Sequence, residues 1–124
     1  VGNVINPLTL KGQIYGGIAQ GLGQALMENI VFDPESGQLM SGSFQDYAMP
    51  RADDFCGIKV ESNPVPTKVN PLGVKGAGEA GCVGALPAVL GAVTDALSVY
   101  GIKYVEMPAT PQKIWQAIKE AKAA

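Results

Sequence analysis

Between Leu10 and Ile30 the apolar residues Leu10, Ile14, Ile18, Leu22, Ala25, Leu26 and Ile30 recur close to the helical period, which predicts one long amphipathic helix. Thr9, just ahead of it, is the predicted N-cap. Gln20, Gln24 and Glu28 fall four apart on another face. Gly12, Gly16, Gly17, Gly21 and Gly23 interrupt the pattern, and each costs a helix about 1 kcal/mol against alanine. A helix that accepts such costs is expected to let another helix or a ligand approach its backbone.

Beyond Ile30 the pattern shortens. "VFDPESGQLMSGSF" places two short apolar runs around Asp33-Pro34-Glu35-Ser36-Gly37, which predicts a β-hairpin. "QDYAMPRADDF" is a charged, proline-containing loop. "CGIKVESNPVP" sets Ile58 and Val60 against Lys59 and Glu61, the alternation of a half-buried strand. Pro64, Pro66 and Pro71 then enforce an extended approach to a second glycine-rich stretch. Helical character returns from Glu79 or Gly84 through Val99, with Pro87 marking a kink or a start near Ala85. Val89, Leu90, Val93, Leu97 and Tyr100 are its predicted buried face. "GIKYVEMP" reads as a short strand or an extended return. Thr110-Pro111 is an N-cap and first-position pair for a last helix that turns Ile114, Trp115, Ile118 and Ala121 inward. The elements together predict an α+β fold, glycine-rich helices packed on a small, mostly antiparallel sheet, in a single domain over residues 1–124.

Composition narrows what such a domain does. At 124 residues the core is modest, yet 47% of the chain is hydrophobic and only 16% charged, so part of the apolar surface is expected to face a partner. A net charge of −2 without any basic run argues against nucleic acid. No uninterrupted apolar run reaches membrane-spanning length, so no span is expected, and no signal peptide is recognised. The opening "VGNVINPLTLKG" reads as mid-domain sequence, which suggests a piece of a longer protein. Cys56 and Cys82 are not closely spaced and read as reduced thiols of a cytoplasmic protein. Histidine is absent, so chemistry must rest on carboxylates, amides or a bound cofactor, and no side-chain metal site is expected.

One acid stands out. "NPLGVKGAGEAGCVGALPAVLGAV", Asn70 to Val93, carries the single carboxylate Glu79 among glycine and apolar residues. A carboxylate in such company is solvated, paired or used. Gly76 to Gly81 formally satisfies G-x-G-x-x-G, but the buried strand that must precede a dinucleotide fingerprint is replaced by short, proline-led sequence. The ribose-binding acid is also missing at its usual spacing. The bland alternative is a glycine-rich helix entry used for packing, with Glu79 a solvated acid favoured by the helix dipole.

Four blocks taken together resemble a known family. "GQIYGGIAQGLGQALME", "DYAMPRADD", "NPLGVKGAGEAG" and "PATPQKIWQAI" look, in order, like the C-terminal segment of the molybdenum-binding large subunit of the xanthine dehydrogenase / aldehyde oxidase / carbon monoxide dehydrogenase family. The family subunit is several times longer, so the chain would be the C-terminal part of a larger molybdopterin-binding domain. The resemblance implies that Glu79 is the active-site base, taking a proton as water-derived oxygen is delivered to an electrophilic carbon. Apolar surroundings would make it a better base. It implies that Gln13 contacts the pterin, an amide being both donor and acceptor. Gly76, Ala77 and Gly78 are expected to face the cofactor with their backbone amides.

The cofactor implied is molybdopterin with molybdenum, in bacterial relatives usually the cytosine dinucleotide form. FAD and 2Fe–2S clusters would belong to other subunits or domains, since the cysteine spacing for a cluster is absent. Implied partners are the remainder of the large subunit, an iron–sulfur subunit, a flavin subunit and a small-molecule substrate: an aldehyde, an N-heterocycle or CO. A non-catalytic packing or assembly module, or an inactive isolated piece, is the alternative.

Overall fold

Asn6 and Pro7 open the first helix. The Asn6 side chain accepts the amide protons of Leu8 (3.0 Å) and Thr9 (3.2 Å). Pro7 takes the first helical position, where its missing N–H leaves nothing unsatisfied. Helix α1 therefore runs Pro7–Leu26, about a turn earlier at both ends than the apolar period suggests. Thr9 is not the cap; its hydroxyl donates back to the Asn6 carbonyl (3.1 Å). The computed structural model describes residues 1–55 and 57–123. The thiol state expected for Cys56 lies outside them, while Cys82 is a half-buried free thiol.

Helix α2 runs Ala80–Leu97 and passes through Pro87 rather than starting near it. The proline ring offers no amide to the Val83 carbonyl. Both halves are nevertheless anchored, the first turns against α1 and the last against a terminal cluster. A 3₁₀ turn, Ser98–Tyr100, and left-handed Gly101 (φ 75°) end the element. Helix α3, Pro111–Ala123, starts as expected, Thr110 Oγ1 accepting the Lys113 amide at 3.3 Å.

The hydrophobic centre lies at the C-terminal end of α2. Leu97, Val105 and Ala109 are buried there, with Leu26, Leu90, Val93, Ile102, Ile114 and Ile118 packed around them. The Ala109 amide donates to the Ala25 carbonyl (2.7 Å), tying the return segment to the end of α1. Trp115 does not join; it is 59% exposed, with the Lys119 ammonium 5.0 Å above its ring.

α1 and α2 meet through missing side chains. A Cβ on Gly81 would stand 2.5 Å from the Ile14 carbonyl oxygen and 2.9 Å from the Ile18 nitrogen. One on Gly21 would stand 2.8 Å from the Ala85 Cβ, and one on Gly17 3.0 Å from the Cys82 nitrogen. The two helices thus touch backbone to backbone, the close approach that the glycine content predicts.

The expected sheet is not there. Among the described residues the fold is helical, and pairing of extended chain is limited to one isolated antiparallel bridge, Phe32 to Leu39. The Asp33–Gly37 turn does fold the chain back, with Asp33 N–H donating to the Gln38 carbonyl and Met40 N–H to that of Val31, both at 2.8 Å. Residues 58–61 and 102–106 take no regular structure and belong to no ladder. Alternation sets which way side chains point; a strand also needs a neighbour in register, and no other stretch among the described residues supplies one.

Much apolar surface stays uncovered. Val69 is 93%, Phe44 86% and Leu8 80% exposed. One element also meets the length and composition of a membrane span, contrary to the sequence expectation: Ala80–Tyr100, mean hydropathy 1.7, with 11% of that window buried. The interrupting Gly, Pro, Thr and Asp residues hide this from a search for unbroken apolar runs. Core helices of globular folds have the same composition, and α2 is packed against α1 along Gly81–Ala85.

Candidate cofactor-facing site

The loop that delivers Glu79 is held from both sides. Asn70 clamps it internally, its Nδ2 donating to the Val74 carbonyl (3.0 Å) and its Oδ1 accepting the Val74 amide (3.2 Å). Gly73 takes the left-handed turn (φ 66°) that this clamp requires. Asn3 closes the other side: its Nδ2 donates to the Leu72 carbonyl (2.9 Å) and its amide to that of Gly73 (3.0 Å). Gly2 lies so close to Gly73 that a Cβ would overlap the carbonyl oxygen.

From this brace the chain runs through Lys75 and Gly76 to Gly78, opposite the first turns of α1. There Gln13 Oε1 lies 3.8 Å from where a Gly78 Cβ would be. Gln13, Ala77 and Gly78 line one groove of about 270 Å³, shared with Asn6, Thr9 and Lys75. Residues more than sixty positions apart are therefore brought together. Gly76 is exposed beside the groove without lining it.

Glu79 stands next, at the N-cap of α2. Its backbone is helical (φ −95°, ψ −11°) and its side chain makes no capping hydrogen bond. An acid at this position ordinarily accepts an amide proton from the first turn. Here the carboxylate is exposed, beside the groove rather than within it, so the apolar enclosure expected for a base is not supplied by these residues. Gly76 has open space on its Cβ side and an ordinary φ. Neither packing nor conformation within this chain requires glycine there. Its bare backbone suits the approach of a polar group of another molecule, so the loop fits a pterin-type cofactor held by amide hydrogen bonds. No group of three His, Cys, Asp or Glu residues able to hold a metal ion occurs among the described residues.

Sequence reasoning missed the braces. Asn70 precedes a proline in "NPLGV", the spacing of an Asx-type clamp, and could have been read so. Asn3 could not, because its partners lie about seventy residues away. Two further ties are also long-range: Tyr15 Oη donates to the Ile58 carbonyl (2.8 Å) and Tyr47 Oη to Glu28 Oε2 (3.0 Å). A hollow of about 660 Å³ near Leu90, Asp95, Lys103 and Tyr104 lies at the other end of α2 and includes none of the candidate residues.

The molybdopterin cofactor-binding domain family matches residues 1–56, the stretch that carries Gln13. The large subunit of nicotine 6-hydroxylase from Paenarthrobacter nicotinovorans is 42% identical over 118 residues, 95% of this chain and 14% of that protein. The crystal structure of Cu,Mo-CO dehydrogenase superposes with a TM-score of 0.90 at 29% identity, covering 98% of this chain and 15% of that one. The chain is similar, over nearly its whole length, to one segment of the molybdenum-binding large subunits of the xanthine dehydrogenase family.

Quinoline 2-oxidoreductase from Pseudomonas putida 86, at 40% identity and a TM-score of 0.85, covers 96% of this chain and 15% of that one. Family relatives are molybdenum-dependent oxidoreductases, and the chain spans about 15% of their length. The pairwise matches extend past residue 56 and take in the braced loop and Glu79.

Proposed function

We propose that the chain is the C-terminal part of the molybdopterin-binding domain of a cytoplasmic molybdenum hydroxylase, with Glu79 as its active-site base. The observation that carries this reading is the placement of an unengaged carboxylate one residue beyond Gly78, where Gln13 meets the loop. Glu79 accepts the proton released as water-derived oxygen reaches the substrate carbon. Gln13 holds the pterin through its amide, and Gly76 to Gly78 present backbone amides to it. The molybdenum–pterin group, taken here as the cytosine dinucleotide form, supplies the two-electron redox chemistry when bound. The remainder of the subunit encloses Glu79, and iron–sulfur and flavin partners carry the electrons away.

The substrate class favoured is an N-heterocycle. Identity to the nicotine and quinoline enzymes is 42% and 40%, against 29% for the CO dehydrogenase structure. The test is Glu79→Gln in the full-length enzyme with its partner subunits, assayed on pyridine and quinoline rings. Molybdenum content should be retained while turnover falls about 10²–10⁴-fold, the range of one general base. Near-normal turnover would refute the assignment and favour a packing role for the segment.

A further inference from the structure

The contact between α1 and α2 is tightest within two residues of Glu79. Gly81 is buried in the first turn of α2, and its Cα side faces the Ile14 carbonyl and the Ile18 amide of α1. Gly17 answers from the other helix, facing the Cys82 amide and the Gly81 Cα. These neighbours are backbone atoms within regular helices, which cannot turn aside as a flexible side chain does. Gln13 lies on the same turns of α1, one residue before Ile14. The seam therefore sets the separation between the residue that meets Gly78 and the acid that follows it. Gly21, one turn farther along α1, also faces Cys82, whose carbonyl oxygen would stand 2.9 Å from an added Cβ, and so belongs to the same seam, whereas Gly23 faces the Pro50 ring and not α2.

We infer that Gly81, seated on α1 with Gly17, is a positioning residue for Glu79: its missing Cβ fixes the start of α2, and so the acid, relative to Gln13. This rests on the reading of Glu79 as base. A methyl at residue 81 must push the two helices apart where they now touch, since the nearest distance, 2.5 Å, is shorter than any Cβ contact tolerates. At residue 17 the overlap is milder, 3.0 Å, so the displacement is a few tenths of an ångström.

The experiment uses the full-length enzyme assembled with its partner subunits and compares Gly81→Ala, Gly17→Ala, Gly23→Ala and Glu79→Gln. Turnover is normalised to bound molybdenum, and kcat is followed against pH. Gly81→Ala should lower kcat per molybdenum at least tenfold with KM little changed and displace the acid limb of the profile. Gly17→Ala, which keeps the fold if Gly81→Ala does not, should shift the same limb with a smaller loss. Gly23→Ala, whose methyl would meet the Pro50 ring and not α2, should lower thermal stability yet keep kcat per molybdenum and the profile. Normal kcat and profile in both Gly81→Ala and Gly17→Ala, with Glu79→Gln inactive, would overturn the positioning role and leave the base intact. Equal losses in all three glycine variants without a shifted limb would also overturn it. An active Glu79→Gln enzyme would instead remove the reading beneath it.

Discussion

An acid placed at a helix start has a task within easy reach, and Glu79 leaves it undone. Some other carboxylates are engaged: Asp33 accepts the Ser36 hydroxyl and amide, which holds its pKa below the ordinary value. Glu28 receives the Tyr47 phenol, and that hydrogen bond, aided by partial desolvation, raises the phenol's pKa above 10.0. A raised phenol pKa means that the fold favours the neutral ring. The stabilisation is complete below the unfolded value and is lost as pH climbs through the folded one. In a ¹³C-tyrosine NMR titration Tyr47 should therefore ionise later than 10.0, and Glu28→Gln should bring it earlier; an unchanged midpoint would refute the coupling. At this scale the sequence showed which acid was isolated. It did not show that Glu79 forgoes the cap, because that depends on its backbone being helical.

Between elements, the same cap chemistry was read once and overlooked once. Thr110-Pro111 stood clear of any other candidate, and α3 begins there. Asn6-Pro7 is the same pair, but the apolar period picks up only at Leu10, which drew the helix start towards Thr9. Asn6→Ala should cost the protein about 1 kcal/mol by denaturant unfolding. It should also speed hydrogen exchange at Leu8 and Thr9, the amides it now holds; unchanged exchange would refute the cap. The glycine excess rightly announced close backbone approach. Which glycines make it was hidden, since the crossing point of two helices is a property of both. Gly17, Gly21 and Gly81 are filled by the opposite helix, while Gly12 and Gly16 face open space. The sheet failed for a related reason: Ile58–Glu61 states its own faces but not its neighbour.

Across the molecule, the apolar excess of the composition is visible as surface. Among the described residues the core is a few buried side chains ringed by half-buried ones, and no large side chain is completely enclosed. Leu8, Phe44, Val69 and Val99 are among the side chains left bare, as expected for a face that meets other protein. The 124-residue chain in isolation should therefore bind a hydrophobic dye and self-associate as its concentration rises. It should retain no stoichiometric molybdenum after reconstitution. A monodisperse, dye-silent chain with one metal per molecule would contradict both expectations.

The clasp between Asn3 and Gly73 makes the leading end of the chain a fastener for a loop seventy residues away. A protease nick between Asn3 and Asn6 would leave the helix pair standing and set the Lys75–Gly78 strap loose. Such a cut would free the loop that leads to Glu79 without unfolding the helices, and an affinity handle inserted at that point carries the same hazard.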